Sequence, residues 1–326
     1  MKRILYRSPF VPPEWIAAHG FRPSRILPRN LAGSGGPVPT LQGVCPFMRG
    51  VIREMCSHTD AAGIVLTTVC DQVRHAADLL RRRVETPVFL MTVPATWQDP
   101  APQALYLSEL KRLGRFLVEH GGTTPSDVRL AEFMLEYEKR RSEWRGILSK
   151  CGSKACSEHM AAFLASRDLP DASPSQERQA GIRIALLGGP LHLDAFDLFD
   201  MIEKYGGTVV LDATETGERT LPGPFHRTDD FHAPPLEDLA RTYFETIPDA
   251  FRRPNNRLYE WMRNAISERG IQGIVLVRHL WCDTWHAELA RCSDELAVPV
   301  LDFELGEGHT DLGRAVRIQA FLEVLR

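Results

Sequence analysis

The segment GIVLTTVCD, Gly63 to Asp71, returns far downstream as GIVLVRHLWCD, Gly273 to Asp283. Each copy opens with a glycine, runs through apolar β-type residues and ends in Cys-Asp. An amphipathic helical pattern follows each. Seventeen residues beyond each cysteine a Pro-Val pair, at Pro87 or Pro299, opens another apolar run. A strand, a helix and a second strand in that order form a βαβ unit, whose strands are parallel and joined by a crossover. The second copy has two more residues before its cysteine. A chain that carries this unit twice is constrained to two related α/β halves.

The rest of the chain agrees. Strand patterns are expected at Arg3–Tyr6, Arg25–Leu27, Gly63–Val69 and Pro87–Val93, and again at Arg183–Leu187, Thr208–Leu211, Gly273–Val277 and Pro299–Phe303. Between and after them, helical patterns fall at Pro13–His19, Gly50–Ser57, Gln72–Val84, Gln103–His120 and Pro125–Ala165. In the second half they fall at Asp194–Tyr205, Pro235–Thr246, Arg257–Arg269, Asp283–Leu296 and Leu312–Leu325. Alternation of this kind predicts parallel sheets covered by helices on both faces. The expected fold is two flavodoxin-like or Rossmann-like domains with four-stranded parallel sheets, related by internal duplication. The N-terminal domain spans 1–167, with a helical extension over about 101–167. Residues 168–180, rich in Pro, Ser and charge, read as a linker, and 181–326 form the C-terminal domain.

At 326 residues the chain is long enough for two such domains. Its net charge of −3 offers no basic field for nucleic acid. No apolar run approaches the roughly 20 residues that span a bilayer. The basic start, MKRILYRSPFVPPEW, lacks the apolar core of a signal peptide. A cytoplasmic protein is expected, and in that reducing medium the seven cysteines read as thiols or metal ligands rather than disulfides.

In open parallel sheets the ligand crevice lies beyond the carboxyl ends of the strands. Cys70 and Cys282 both fall at that edge, so two facing domains can bring both thiols to one cleft. Each precedes a helix whose N-terminus favours thiolate, the form that binds iron or zinc. Cys45, in GVCPFMRG, sits before a proline in a loop leading to the helix from Gly50. Together the three make a candidate three-thiolate site, although none belongs to a CxxC pair and spacing alone names no metal. Cys56 and Cys292 lie in helical patterns and read as small buried hydrophobes. Cys151 and Cys156 flank GSKA and read the same way, with a redox pair as the alternative.

These residues resemble a known family, the 2-hydroxyacyl-CoA dehydratase subunits, which also contains benzoyl-CoA reductase subunits. The likeness runs through SPFVPPEWIAAHGFRPSRILP at the start, GVCPFMRG around Cys45, and AAGIVLTTVCDQVRHAADLL with its Thr-x-Cys-Asp signature at Thr68 to Asp71. It ends in the run around Cys282 and the helix Arg-Ile-x-Ala-Phe-Leu-Glu at Arg317 to Glu323. The resemblance implies a [4Fe–4S] cluster held by Cys45, Cys70 and Cys282, with one iron open; some relatives carry a double-cubane cluster instead. It implies an acyl-CoA substrate and a lyase activity: one-electron reduction of the thioester carbonyl to a ketyl, which expels the neighbouring hydroxyl. A second related subunit, or a second copy of this chain, and an ATP-hydrolysing iron–sulfur activator are the implied partners. A reductase of the benzoyl-CoA type and a non-catalytic electron-relay subunit are the competing activities.

Around the cluster, Ser8 in YRSPF is a candidate to hydrogen-bond a thioester carbonyl or a cluster ligand, or else a strand-end turn residue. His279, read as loop, and His286, on the next helix, flank Cys282 and are candidate proton carriers. Glu14, His75, the glycines Gly188 and Gly189, and Arg49, Arg53 and Arg74 have weaker claims to the acid/base, proton-transfer or CoA-phosphate roles.

Overall fold

The computed structural model describes residues 1–29, 43–148, 154–166, 180–225, 234–306 and 311–326. The first sheet contains β1 (Arg3–Tyr6), β2 (Arg22–Arg25), β3 (Gly63–Thr67) and β4 (Val88–Met91). The second contains β5 (Ile182–Gly188), β6 (Gly207–Ala213), β7 (Gly273–His279) and β8 (Val300–Leu305). Their orders are β2-β1-β3-β4 and β6-β5-β7-β8, with every pairing parallel. Both sheets therefore place their strands in the order second, first, third, fourth. The duplication extends to the register: Ile64 pairs with Val88 and Ile274 with Val300. The Ile64 amide donates to Pro87 and the Ile274 amide to Pro299, each at 2.9 Å.

Helices α1 (Pro13–Ala18), α2 (Pro46–Ser57), α3 (Asp71–Arg81), α4 (Pro100–Glu119), α5 (Asp127–Leu148) and α6 (Lys154–Ser166) accompany the first sheet. Helices α7 (Asp197–Lys204), α8 (Pro235–Thr246), α9 (Asn256–Arg269), α10 (Asp283–His286), α11 (Leu289–Glu295) and α12 (Asp311–Val324) follow in the second stretch. The central strands are buried on both faces, as continuous apolar runs require. Ile64 and Leu66 face α2 and α3, while Val65 faces the core that contains α4. In β7, Ile274 and Leu276 face one core and Val275 and Val277 the other.

Several elements differ from the sequence reading. β2 lies at Arg22–Arg25, not Arg25–Leu27, and carries Pro23; as the edge strand it leaves the missing amide of proline unneeded. α2 begins at Pro46, whose fixed φ suits the first helical position, so Cys45 is its N-cap. The expected helix over Pro125–Ala165 is divided between α5 and α6, and the one over Asp283–Leu296 between α10 and α11. Ser126 caps α5 by accepting the Arg129 amide at 3.3 Å. The expected linker lies, except for Ala180, outside the described residues. α8, from the second stretch, packs Leu239, Ala240, Tyr243 and Phe244 into the core of the first half. No helix among the described residues is long and apolar enough to cross a membrane.

Candidate functional site

The sheet orders create a switch point in each half, where the chain leaves β1 and β3, or β5 and β7, toward opposite sides. Ligand crevices form beyond such points. Here the carboxyl edges of both sheets open on one cavity of ≈ 150 Å³, lined by Cys45, Cys70 and Cys282 among others. Each of the three cysteines is the N-cap residue of a helix: Cys45 of α2, Cys70 of α3 and Cys282 of α10. The Cys45 sulfur accepts the Met48 amide at 3.4 Å. The amides of Val73 and Trp285 face Cys70 and Cys282 from the same third position without completing a cap hydrogen bond.

The two additional residues of the second copy lengthen the strand: β3 has five residues and β7 seven. Two residues then separate each strand from its cysteine. In the second copy these are Leu280 and Trp281, and the Cys282 amide donates to His279 at 3.0 Å to close the turn. Trp281 takes a left-handed φ of 64° there. The segment bearing Cys45 is held differently, by Gln72 on α3, whose Oε1 accepts the Cys45 amide at 2.7 Å.

Burial dominates the thiols' ionisation. It pushes Cys45 up to about 11 and Cys282 up to about 12, and it raises Cys70 as well. The facing amides pull each thiol the other way. The sequence expectation that helix N-termini would favour thiolate is therefore overridden by desolvation. A metal bound here must displace the protons as it enters.

One cation stands at the cavity wall. Arg7, just past β1, is buried and pairs with Glu215, one contact very short and the second, Nη2 to Oε2, at 3.1 Å. Arg25 donates from Nη2 to the Glu215 carboxylate at 3.4 Å and to its carbonyl at 3.0 Å. Burial pushes the Glu215 carboxyl up, but Arg7 and Arg25 prevail and hold it below the usual carboxylate range. The Arg7 guanidinium lies 4.7 Å from the centre of the Phe47 ring, and its Nε has no partner. Sequence reasoning missed Arg7, Glu215 and Gln72; the position of Arg7 beside Ser8 at a strand's carboxyl end was the available signal for the first.

Of the other sequence candidates, Ser8 is buried on the cavity wall, and its Oγ accepts the Phe10 amide at 3.3 Å. His279 is not in a loop: it is the last residue of β7, because the extra residues extend the strand. It lines the cavity, donates from Nε2 to the Pro190 carbonyl at 2.8 Å, and is pushed down to about 4 by burial, hence neutral. His286 is exposed at the end of α10 and does not line the cavity, because the first turn directs Trp285 inward instead. His75 is likewise exposed, and Arg74 meets Asp71 on the surface at 3.8 Å. Glu14 lies away from the cavity in a buried pair with Arg141 at 2.5 Å. Gly188 serves backbone packing, since a Cβ there would stand 1.9 Å from the Val277 carbonyl oxygen. Cys292 is fully buried and 3.6 Å from the Tyr259 hydroxyl, and Cys56 is half-buried on α2. Cys156 lies in a small core with Trp144 and Met160 but is disulfide-bonded, which corrects the expectation that every cysteine is a thiol or a metal ligand. Cys151 falls outside the described residues.

No curated protein matches the chain. Among solved structures, the laminin-binding protein Lmb of Streptococcus agalactiae is 11% identical over 100% of both chains, at a TM-score of 0.26. The Mn-bound periplasmic metal-binding protein of Candidatus Liberibacter asiaticus is 8% identical over 100% of this chain and 98% of that one, at 0.25. Scores of that size establish no shared fold, and nothing about this chain follows from them. The sequence itself is more informative: residues 9–325 match the family model described as 2-hydroxyglutaryl-CoA dehydratase, D-component. With nearly its whole length matched, the chain belongs to the 2-hydroxyglutaryl-CoA dehydratase D-component family.

Proposed function

We propose that the chain is the iron–sulfur component of a 2-hydroxyacyl-CoA dehydratase, with Cys45, Cys70 and Cys282 as cluster ligands. The observation that carries this reading is the meeting of three thiols, from three distant segments, on one cavity between two sheet edges. Among the described residues no three His, Cys, Asp or Glu side chains close on the position of a single ion. A cubane suits that spread, because each thiolate binds its own iron. Cys45, Cys70 and Cys282 would hold such a cluster, which when bound would supply one low-potential electron at the cavity.

The chain's own residues fit around such a group. Arg7 offers fixed positive charge to an anionic centre. Ser8 sits where a hydroxyl can donate to a carbonyl oxygen. His279, neutral and anchored through Nε2, keeps its ring orientation beside Cys282. Phe10, Phe47 and Phe251 make much of the remaining wall apolar and limit water. The proposed reaction is the loss of water from a 2-hydroxyacyl-CoA: one electron enters the thioester to give a ketyl, the neighbouring hydroxyl leaves as hydroxide, the β-proton is lost, and the electron returns to its donor, so that the net change is elimination of water alone. A second related subunit and an ATP-hydrolysing activator complete the system.

One observation favours a second reading. Ligand pockets usually hold about 300–1,000 Å³, and this cavity is ≈ 150 Å³. A subunit that relays electrons while its partner binds the acyl-CoA needs only the smaller space. Anaerobic reconstitution followed by iron and sulfide counting tests the shared core of both readings. About four irons per chain are expected, less in Cys45→Ala, Cys70→Ala and Cys282→Ala, and unchanged in Cys292→Ala. Iron uptake indifferent to all three substitutions overturns the assignment. Dehydratase assays with the partner subunit, activator and ATP then separate catalysis from relay.

A further inference from the structure

Arg7 is the only guanidinium or ammonium group among the described residues that line the thiol cavity. It is 6% exposed, and Cys45 and Cys70 lie within its electrostatic reach. Its two Nη atoms are engaged by Glu215, which comes from beyond β6 in the other half of the molecule, and its Nε has no partner. Arg25 completes the group by binding Glu215 and by donating from Nε to the Arg7 carbonyl at 3.0 Å.

Two guanidiniums share one carboxylate, so the trio keeps a net positive charge in a buried place. Buried charge without compensation is costly. The nearby carboxylates do not supply the compensation. Asp249 is committed to Arg219 at 2.7 Å. Asp71 and Asp283 are exposed at the rim, where solvent screens them. The excess charge instead faces Cys45 and Cys70, in the cavity that Cys282 also lines.

We propose that Arg7, set in place by Glu215 and Arg25, is the residue that tunes the electron affinity of the group bound by the three thiolates. This rests on the cluster reading above. A cubane with three thiolates carries net negative charge, and reduction adds one electron and no proton to it. A fixed cation beside it, in a medium of low polarity, stabilises the reduced state more than the oxidised one. Glu215 acts in the opposite sense by neutralising part of that cation.

The test is an anaerobic redox titration of the reconstituted protein, with titanium(III) as the one-electron donor and electron paramagnetic resonance as the readout. Arg7→Gln is expected to lower the midpoint by roughly 59 mV, the one-electron equivalent of a tenfold change in the equilibrium constant. Glu215→Gln is expected to raise it, since Arg7 and Arg25 are then unopposed. Arg7→Lys restores most of the wild-type value. Should Glu215→Gln fail to fold, Arg25→Gln, which lies behind the cavity wall, is expected to lower the midpoint by a smaller amount. Opposite shifts for removal of the cation and of the anion are not what a structural role alone produces. A loaded wild type whose midpoint ignores the Arg7 and Arg25 substitutions, or moves the same way on loss of Arg7 and of Glu215, overturns the inference alone. A wild type that takes up no iron overturns the cluster reading and this inference together.

Discussion

The Gln72 side chain accepts the amide hydrogen of Cys45 at 2.7 Å, across 27 residues of sequence. Gln72 stands two residues past Cys70, in the first turn of α3. One side chain therefore fixes the segment bearing Cys45 relative to the helix that Cys70 caps. It also donates to the Gly43 carbonyl at 3.4 Å. Removing it frees the Cys45 segment while leaving every sulfur in the chain. Gln72→Ala is expected to cost about 1 kcal/mol of stability and to lower iron uptake on reconstitution. Gln72→Glu keeps an acceptor for the Cys45 amide and is expected to retain more iron. Equal iron in both variants and wild type would show that Cys45 is held without this contact.

Glu14 supports the fold. Its carboxylate accepts from Arg141 at 2.5 Å and from the Tyr243 hydroxyl at 2.8 Å, so it ties together α1, α5 and α8. Glu14 is 0% and Arg141 2% exposed. Breaking a buried ion pair by removing one partner strands the other charge, at a cost of about 3–5 kcal/mol. Glu14→Ala is expected to fall in that range by chemical denaturation. Glu14→Met combined with Arg141→Met is expected to recover most of the loss. Cluster content in the double variant should match wild type, because the pair lies away from the thiol cavity.

These two cases show what the sequence makes legible. The repeat of Gly-Ile-Val-Leu, Cys-Asp and Pro at one spacing is a local signal, and it carries through to strand order and even to the Ile64–Pro87 and Ile274–Pro299 hydrogen bonds. The convergence of Cys45, Cys70 and Cys282 is legible too, because ligand crevices of parallel sheets have a fixed place. Periodicity marks the apolar face of α8 but cannot say that it docks on the first half. Charged residues read as surface by default, so the pairing of Arg7 with Glu215, 208 residues apart, leaves no local trace. The state of the thiols is hidden for a related reason: a helix N-terminus is visible in sequence, whereas the depth of burial that outweighs it is not.

Gly188 is a further place where packing dictates the residue. Its φ is +146°, and β5 passes so close to β7 that an added Cβ would stand 1.9 Å from the Val277 carbonyl oxygen and 2.8 Å from its carbon. Backbone of a central strand cannot retreat without losing ladder hydrogen bonds. Gly188→Ala is expected to destabilise by about 3 kcal/mol or more, seen as a large fall in thermal midpoint or in soluble yield. Gly146, on α5, has open space around its missing Cβ. Gly146→Ala is expected to be neutral or stabilising by up to about 1 kcal/mol, which makes it the control.

His192 gives the protein a pH dependence of definite sign. Burial pushes it down to about 3, with His279 and Arg314 adding repulsion. Its Nδ1 is buried without a hydrogen-bond partner, and its ring centre lies 6.0 Å from that of His279. In the unfolded chain a histidine titrates near its ordinary value of about 6.5. Between these values the unfolded state binds the additional proton, so stability rises with pH across the window. The contribution of neutral His192 is complete above about pH 6.5 and declines as pH falls from there toward 3. At pH 5 the loss should be about 1–2 kcal/mol, allowing for the partial exposure of the ring. Urea unfolding of the metal-free protein at pH 7.5 and pH 5.0 measures it. His192→Gln cannot take up the proton, so its stability should change less between the two conditions than that of wild type. An identical decline in both proteins would assign the acid sensitivity to other groups.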